Sequence, residues 1–316
     1  MNDQVEQIIK EIKAHYKIIV LRHQSPDPDA LGSQLGLASI LHASFPAKII
    51  KVGGKNNGSL NWIGKMDQLT DEDFKDALVI VTDTANTPRI DDQRYNSGHS
   101  LIKIDHHPDD DHYGFLNFVF PKSSSTCEVL WNLVEQSNGQ LKINDDAARY
   151  LYIGLVGDTG RFLYSNTSAN TFKVAADLLT YKFNANKISE RLSEITLAQG
   201  RLQGYVLDHL TISKSGAAMA IIYLDTLREF GLNMDQAHTI VGVPGLLNNV
   251  KAWVVFVQKR DLSFRVHLRS KEVPINEIAK EHHGGGHNLA SGADAEDERE
   301  LEKIYKELER AVESYK

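Results

Sequence analysis

One stretch constrains the fold of this chain more than any other: Ile18-Ile-Val-Leu-Arg-His-Gln-Ser-Pro-Asp-Pro-Asp-Ala-Leu-Gly-Ser-Gln-Leu-Gly-Leu37. The apolar run from Ile18 to Leu21 reads as a buried strand. It breaks at His23-Gln-Ser-Pro26, and a helical pattern begins near Asp29. Pro26 and Pro28 fix φ and remove backbone donors, so the turn is stiff. Ala30, Gly32 and Ser33 let the helix start pack closely behind it. The turn carries His23, Asp27 and Asp29, three potential metal ligands within seven residues. Crowded carboxylates repel one another unless a cation sits between them. An Asp-rich cap in an ordinary strand–turn–helix is the alternative that this turn alone leaves open.

Two further apolar runs end in the same kind of residue. Ala77–Thr82 stops at Asp83, and Ser100–Ile104 stops at Asp105-His106-His107-Pro108. With Ala47–Val52 and Gly114–Phe120 as additional strands, the pattern predicts a parallel α/β sheet. The carboxyl ends of parallel strands share one edge, where ligands bind. The groups His23/Asp27/Asp29, Asp83 and Asp105/His106/His107 are therefore expected to converge. Helices are expected over Met1–Tyr16, Asp29–Ser44, Thr126–Glu135, Asp145–Gly157 and Ala169–Tyr181. Between β and α segments, Gly53–Thr70 is loop-like, with Gly53-Gly54, Asn56-Asn57-Gly58 and Gly64 as breakers. Asp158 follows Gly157 at the end of a helix whose Ala147, Leu151 and Leu155 face a core. A carboxylate buried there needs a partner, either a metal or backbone N–H groups.

The length of 316 residues suggests two domains. We expect an N-terminal parallel-sheet domain over 1–185, a helical linker over 186–210 and a smaller α+β domain over 211–316. In the second part, Thr211–Ser213 and Ala217–Leu224 read as a hairpin around Lys214-Ser-Gly216. Lys251–Gln258 and Leu262–Leu268 read as another, turning at Lys259-Arg-Asp261. A helix over Ile275–Glu281 precedes His282-His283-Gly-Gly-Gly-His287, and a charged helix is expected over Asp294–Tyr315.

Charge and composition narrow the function. A net charge of −7 argues against a protein that grips long nucleic acid. A nucleotide substrate should be short and held locally. No run of about 18 apolar residues suggests a membrane span, and Met1–Lys13 has no apolar core of a signal peptide. Cys127 is the one cysteine, which excludes an internal disulfide and fits a reducing cytoplasm. It sits in an apolar helical pattern and reads as a buried structural thiol. There is no glycine-rich P-loop after the first strand and no Gly-x-Ser-x-Gly elbow.

His23, Asp27, Asp29, Asp83, His106 and Asp158 make two imidazoles and four carboxylates. That mixture suits borderline to hard divalent ions, manganese among them. With one carboxylate bridging, six side chains suffice for two ions, and two ions ~3.5–4 Å apart can generate hydroxide and clamp an in-line phosphoryl displacement. The second domain offers a different site. Gly284-Gly285-Gly286 lets backbone N–H groups approach a ligand, flanked by His287 and Ser291-Gly292. Arg265 and Arg269 share one face of a strand, since their spacing is even, and arginine suits a bidentate grip on phosphate. An ordinary loop is the alternative for the glycines alone.

His23-x-x-x-Asp27-x-Asp29-Ala, Val81-x-Asp83, Asp105-His106-His107 and Gly157-Asp158-Thr-Gly resemble the four motifs of the DHH phosphoesterases. Gly284-Gly-Gly-His287-x-x-Ala-Ser-Gly292, preceded by Arg265-x-x-x-Arg269-Ser270, resembles their DHH-associated C-terminal domain. Within the superfamily the chain looks most like the bifunctional oligoribonuclease and pAp-phosphatase group, the nanoRNases. The resemblance implies manganese as the preferred metal. It implies that His23, Asp27 and Asp83 hold one ion, and that Asp29, Asp83, His106 and Asp158 hold a second, with Asp83 bridging. His107 would contact the scissile phosphate or support the ligands, and Asp105 would orient His106. The Gly284–His287 loop, with Arg265, Arg269 and Ser270, would hold the far end of a short oligoribonucleotide or a 3′,5′-bisphosphate. One departure is Asn288-Leu289 after His287, where many relatives carry other small or polar residues, so the fine substrate preference stays open.

Three rivals share parts of this pattern. Family II pyrophosphatases share the N-terminal motifs but carry a Lys- and Arg-rich phosphate motif that this sequence lacks. Exonucleases of the RecJ type share the catalytic core but usually carry extra domains and basic charge. A metal-dependent nucleotide sensor would be favoured by loss of a ligand, and all six are present. Within the preferred group, a dedicated phosphodiesterase for linear dinucleotides such as pApA is the alternative. A homodimer is left open.

Overall fold

The structure is a computed structural model that describes residues 3–56 and 58–315. Met1 and Asn2 of the expected first helix, Asn57 among the expected loop breakers and Lys316 of the expected second domain lie outside the described residues. The chain divides into two units, Met1–Ser193 and Glu194–Lys316.

In the first unit, α1 (Asp3–Ala14) buries Val5, Ile8, Ile9 and Ile12, a stripe at helical spacing. It leads into β1 (Lys17–Leu21). Ile18 and Val20 join one core and Ile19 and Leu21 another, on the two faces of the sheet. Both faces of the strand are covered, so its sequence is apolar throughout rather than alternating. Then follow α2 (Pro28–Ser44), β2 (Ile49–Val52), α3 (Asp71–Phe74), β3 (Leu78–Thr82), β4 (Ser100–Asp105), β5 (Leu116–Val119), α4 (Thr126–Gln136), α5 (Asp145–Asp158), α6 (Ala169–Leu178) and α7 (Ala185–Ser193). The five strands lie in the order β2-β1-β3-β4-β5, every neighbouring pair parallel. Strand order reverses between β1 and β3, and a crevice opens outside the carboxyl ends at such a point. The residues immediately after those two strands include His23 and Asp83.

Two contacts set how closely the helices stand behind that crevice. Gln34 Nε2 donates to Val20 O and Gly53 O, each at 2.7 Å, tying α2 to the ends of β1 and β2. A Cβ on Gly32 would lie 2.6 Å from Tyr150 O, and one on Gly154 would lie 2.6 Å from Asp29 Oδ1. Only glycine at these positions allows α2 and α5 to touch along their backbones, which carries Asp158 to the side of Asp29.

The stretch expected to link two domains folds as two helices, α7 and α8 (Leu197–Asp208), and the division between units falls between them. Ile188 packs into the core of the first unit, Leu202 and Val206 into that of the second. The second unit continues with β6 (Thr211–Ile212), β7 (Ala217–Ile222), α9 (Leu224–Glu229), β8 (Ala252–Gln258), β9 (Phe264–Ser270), α10 (Asn276–Glu281), β10 (Gly285–His287), β11 (Ala290–Ala295) and α11 (Glu298–Ser314). Its six strands lie in the order β10-β11-β9-β8-β7-β6, with only β7 and β8 parallel. The mixed α/β architecture is thus a parallel sheet in the first unit and a mixed sheet in the second. Among the described residues no helix is long and apolar enough to cross a membrane.

The sequence reading fails in three places here. The last helix starts at Glu298, not Asp294, because Ala293 and Ala295 alternate into the core as part of β11 and Asp297 caps the helix by accepting from Arg299 and Glu300 N–H. The glycine run is not an open loop: Gly285–His287 pairs antiparallel with β11. Leu224 opens a short helix rather than ending a strand, and two 3₁₀ turns over 235–240 and 243–246 fill a region for which no element is expected.

Candidate metal centre

The edge of the first sheet is built from β1 outwards. Arg22, fully buried, donates from Nη1 to His23 O and Asp91 Oδ2 (both 2.8 Å) and from Nη2 to Lys55 O (2.6 Å). This pins the backbone just before His23. The His23 ring has Nδ1 2.9 Å from Gln24 O, which sets Nε2 toward Asp83 Oδ2 (3.4 Å) and Asp27 Oδ2 (3.8 Å). Asp27 is the cap of α2: its Oδ1 accepts from Asp29 N (3.0 Å) and Ala30 N (2.9 Å). The cap reading of the turn therefore holds, and it leaves the other oxygen of Asp27 facing His23.

Asp83 is the centre of the cluster. It is buried and sits at φ +50°, in the left-handed region that non-glycine residues rarely occupy. Strain of this kind persists where the surroundings over-determine it, commonly at functional sites. Its Oδ2 faces His23; its Oδ1 lies 3.6 Å from His106 Nε2 and 3.5 Å from His107 Nδ1 and accepts from Thr126 Oγ1 at 3.1 Å.

Asp29 points at the start of α4. Its Oδ2 accepts from Thr126 N (2.7 Å) and its Oδ1 from Cys127 N (3.1 Å). Those amides are among the orphan donors of a helix N-terminus, where negative charge is favoured. His106 stands between the carboxylates, with Nε2 3.4 Å from Asp158 Oδ2 and 4.0 Å from Asp29 Oδ2, and Nδ1 3.3 Å from Ser123 O. Cys127 is buried beside Asp29, as a structural thiol would be.

Asp105 differs from the expectation that it orients His106. Its Oδ1 accepts from the His107 ring at Nδ1 (2.8 Å) and from the backbone N–H of His106 and His107, so the ring it steers is that of His107. Behind it lies Lys103, a fully buried lysine that donates to Ala85 O (3.1 Å), Asp111 O (2.9 Å) and Asp109 Oδ1 (3.2 Å) and stands 3.8 Å from Asp105 Oδ2.

Electrostatics record the crowding. Burial, then the Asp83 charge, pushes the Asp29 carboxyl up to about 7. Burial, then Asp29, raises Asp158 well above the usual carboxylate range. Asp83 is held below that range: burial opposes this, and the three imidazoles outweigh it. Burial alone would lower His23, His106 and His107; the neighbouring carboxylates reverse this and raise all three.

The donor set fits divalent cations. His23/Asp27/Asp83 and Asp29/His106/Asp158 each bring three ligand atoms within 4.8 Å of one another. In both imidazoles that could ligate, a carbonyl at Nδ1 fixes the tautomer with Nε2 aimed at carboxylates, the arrangement typical of metal-bound histidine. Without a cation, a lone pair at Nε2 would face carboxylate oxygens.

In the second unit, Arg265 and Arg269 share one face of β9, as their even spacing predicts. Ser270 does not join them. Strand alternation turns it to the other face, where its Oγ accepts from Glu272 N at 3.1 Å. His267 lies on the arginine face between the two and was missed by the sequence reading; burial and the two guanidinium groups push it down to about 3. It stands opposite Gly292, which in turn pairs with Gly285, so a strip without side chains runs beside it. The signal was the alternation Arg-x-His-x-Arg. His282 anchors the start of the glycine run: its two ring nitrogens lie 2.6 Å from Glu300 Oε1 and 2.9 Å from Glu307 Oε2 on α11.

Thr126 and Lys103 were also missed. A Ser-Ser-Ser-Thr run before an apolar helix signalled a capped N-terminus, but not its proximity to Asp29.

Comparison with known proteins places this geometry. Residues 17–155 match the DHH family, N-terminal domain, and residues 216–314 match the DHHA1 domain. Over 305 residues the chain is 48% identical to the probable bifunctional oligoribonuclease and PAP phosphatase NrnA of Streptococcus mutans, covering 96% of this chain and 98% of that protein. It is 42% identical over 304 residues to the bifunctional oligoribonuclease and PAP phosphatase NrnA of Bacillus subtilis, covering 96% and 97%. The crystal structure of an exopolyphosphatase-related protein from Bacteroides fragilis matches with a TM-score of 0.87 at 25% identity, covering 100% of this chain and 97% of that one. The chain belongs to the DHH family of phosphoesterases, metal-dependent hydrolases of phosphate esters, and carries a DHHA1 domain after its DHH domain.

Proposed function

We propose that this chain hydrolyses short oligoribonucleotides to mononucleotides and removes a phosphate from nucleotide 3′,5′-bisphosphates such as pAp. The observation that carries the reading is Asp83, whose two oxygens face His23 on one side and His106 on the other. A bridging carboxylate is what a two-ion phosphoesterase needs. The names of the 48% and 42% identical relatives supply the substrate class.

His23, Asp27 and Asp83 would hold one ion, and Asp29, Asp83, His106 and Asp158 another, with manganese the metal that the mixed imidazole and carboxylate set favours. Bound there, such ions supply charge neutralisation at the scissile phosphate and lower the pKa of the attacking water. The chain's own residues do the positioning. Asp105 fixes the His107 ring and stabilises its imidazolium, which offers a proton to a phosphate oxygen. Lys103 holds Asp105 and the loop that follows it in place. Thr126 steadies Asp83 through a hydroxyl and Asp29 through an amide, so neither carboxylate swings away. In the second unit, Arg265, Arg269, His287 and the backbone of Gly285 and Gly286 would form the grip for the rest of the substrate; the Gly284 N–H, expected to join them, is instead spent on Ala279 O at 2.8 Å. The buried thiol of Cys127 accords with the cytoplasm as its compartment.

The test is hydrolysis of pApA and of pAp, each with manganese and with EDTA. Turnover of both, abolished by chelation, is the expected result. Turnover of pApA alone would replace this reading with a dedicated dinucleotide phosphodiesterase. Cleavage of inorganic pyrophosphate instead of either would overturn it.

A further inference from the structure

The loop that leaves α5 after Asp158 is built for something the metal cluster does not use. Gly160, Arg161 and Phe162 have φ of +53°, +60° and +66°, three successive residues in the left-handed region, two of them not glycine. Such a run persists only under restraint, and the restraints are present. Arg161 N donates to Val156 O at 2.8 Å and Phe162 N to Thr159 Oγ1 at 3.1 Å. Leu163 N and Tyr164 N both donate to Thr159 O at 3.0 Å. Asn166 Nδ2 ties the loop back to Asp158 O (3.1 Å) and Ser124 O (3.0 Å). Phe162 packs inward, stacked on Phe172 at 5.2 Å.

The result of this tight turn is the placement of Tyr164. Its ring lies flat over Gly160, so close that a Cβ there would sit 2.5 to 2.7 Å from three ring atoms. The residue is nonetheless 61% exposed. One face of the ring rests on Gly160, two residues past the Asp158 helix end, and much of the side chain meets solvent. The exposed ring is not part of the hydrophobic core, which Phe162 already serves. A fixed, half-open aromatic ring on a loop that leaves the Asp158 helix end and is tied back to Asp158 O and Ser124 O matches one ligand chemistry above others: a flat base carried by a phosphate. Arg161, exposed on the same loop and forming no ion pair among the described residues, adds a positive charge to that loop.

We propose that Tyr164 is a stacking platform for the nucleobase of the nucleotide whose phosphate is cleaved, held in place by the left-handed turn over Gly160. This rests on the phosphoesterase reading above and adds to it a base-binding residue in the first unit. Stacking of a base on an aromatic side chain is sequence-tolerant because every base has a π-face. The platform therefore favours nucleotides over other phosphate esters without selecting one base.

The test compares wild type, Tyr164→Ala and Tyr164→Phe on pAp and on its abasic counterpart, 1-deoxyribose 3,5-bisphosphate. Tyr164→Ala should raise KM for pAp about tenfold, ~1.4 kcal/mol, within the range of single base–aromatic stacks, with kcat kept within about threefold. Tyr164→Phe should match wild type, because the ring and not the hydroxyl does the work. Kinetics on the abasic ester should be the same in all three. An unchanged KM for pAp in Tyr164→Ala, or an equal change on the abasic ester, would overturn the platform. If wild type hydrolyses no ester at all, the functional reading falls on its own. Photolabelling with 8-azidoadenosine 5′-monophosphate then decides the platform: labelling of the 159–166 segment supports it, and its absence refutes it.

Discussion

Stripping metal from the cluster should make the protein less stable as pH rises from 5 to 8. The signs follow from the groups involved. Asp29 titrates near 7 in the folded chain against an ordinary 3.8, and Asp158 is raised in the same direction. A carboxyl with a raised folded pKa binds more protons folded than unfolded between those two values, so stability falls with pH across that window. His23, His106 and His107 are raised above 6.5. Their contribution is fully present below the unfolded value and is lost as pH climbs through the folded ones. Asp83 is depressed and acts in the opposite sense, but only below its ordinary 3.8. Between pH 5 and 8 the other five groups therefore pull together. Asp29 alone gives about two pH units of differential protonation between pH 5 and 7, or ~3 kcal/mol. For a unit of this size that is a fall of about 6–12 °C in Tm. A bound cation reverses the trend, since its ligands must be deprotonated to bind. Calorimetry of EDTA-dialysed and manganese-reloaded protein at pH 5.5, 6.5 and 7.5 should show two curves that diverge with pH. Asp158→Asn, which mimics one permanently neutral carboxyl, should flatten the stripped curve. A stripped protein whose Tm is flat or rises over this range, or an Asp158→Asn variant with the wild-type slope, would refute the reasoning.

Four other outcomes are expected. Asp83→Ala should lose both ions by elemental analysis and more than nine-tenths of turnover, because one carboxylate serves both positions; retention of a tenth of the rate would sink the bridging role. Lys103→Met should cost ~3–5 kcal/mol in urea denaturation, since it strips the buried ammonium from Asp105 Oδ2 and from Asp109 Oδ1, and an unchanged midpoint would show that the lysine is dispensable. Gly154→Ala should cost ~2 kcal/mol by forcing α2 and α5 apart against Asp29 and Cys127; a stable variant would mean the helices separate freely. His287→Ala should raise KM with metal content unchanged, and loss of metal would contradict a separate substrate grip.

The sheet and the cluster were legible because their signals are local. Ile18–Leu21, Leu78–Val81 and Leu101–Ile104 are short, mainly apolar runs that each lead within two residues to a His or Asp, and parallel topology alone brings their ends together. Asp158 could be read as needing a partner from its glycine-lined helix end. What stayed hidden depends on pairings distant in the chain. Thr126 lies 97 residues from the Asp29 it contacts, and nothing in its neighbourhood announces that. Lys103 alternates with apolar residues on a strand and looks solvent-facing until the loop over Asp109–Asp111 folds across it. In the second unit, the strand over Ala290–Ala295 stayed hidden, with Asp294 and Ala295 read into the last helix, because alanine and glycine carry no strand preference; pairing with β9 makes it a strand. Ser270 was grouped with Arg265 and Arg269 by motif, although its odd spacing from both already placed it on the other face.

The charge count at the sheet edge bears on how many ions it takes. Asp27, Asp29, Asp83 and Asp158 bring four negative charges, whereas Asp105 is answered by Lys103 behind it. Two of the four also hold helices: Asp27 caps α2, and Asp29 takes two amides at the start of α4. Those helix ends offset part of a charge each, which explains how carboxylates can be gathered here before any cation arrives. They do not offset four. A single divalent ion would leave the cluster about two charges negative in a site where Asp29 is already pushed to about 7. Protonating His23 and His106 instead would supply the balance but would occupy the very Nε2 atoms aimed at the carboxylates. Two divalent ions with neutral imidazoles would balance the four charges and would use both Nε2 atoms, of His23 and His106, as donors. The same carboxylates that fix the helices would then fix the spacing of two such ions, so the fold of the strand ends and the geometry required for phosphate-ester cleavage would be set by one group of side chains.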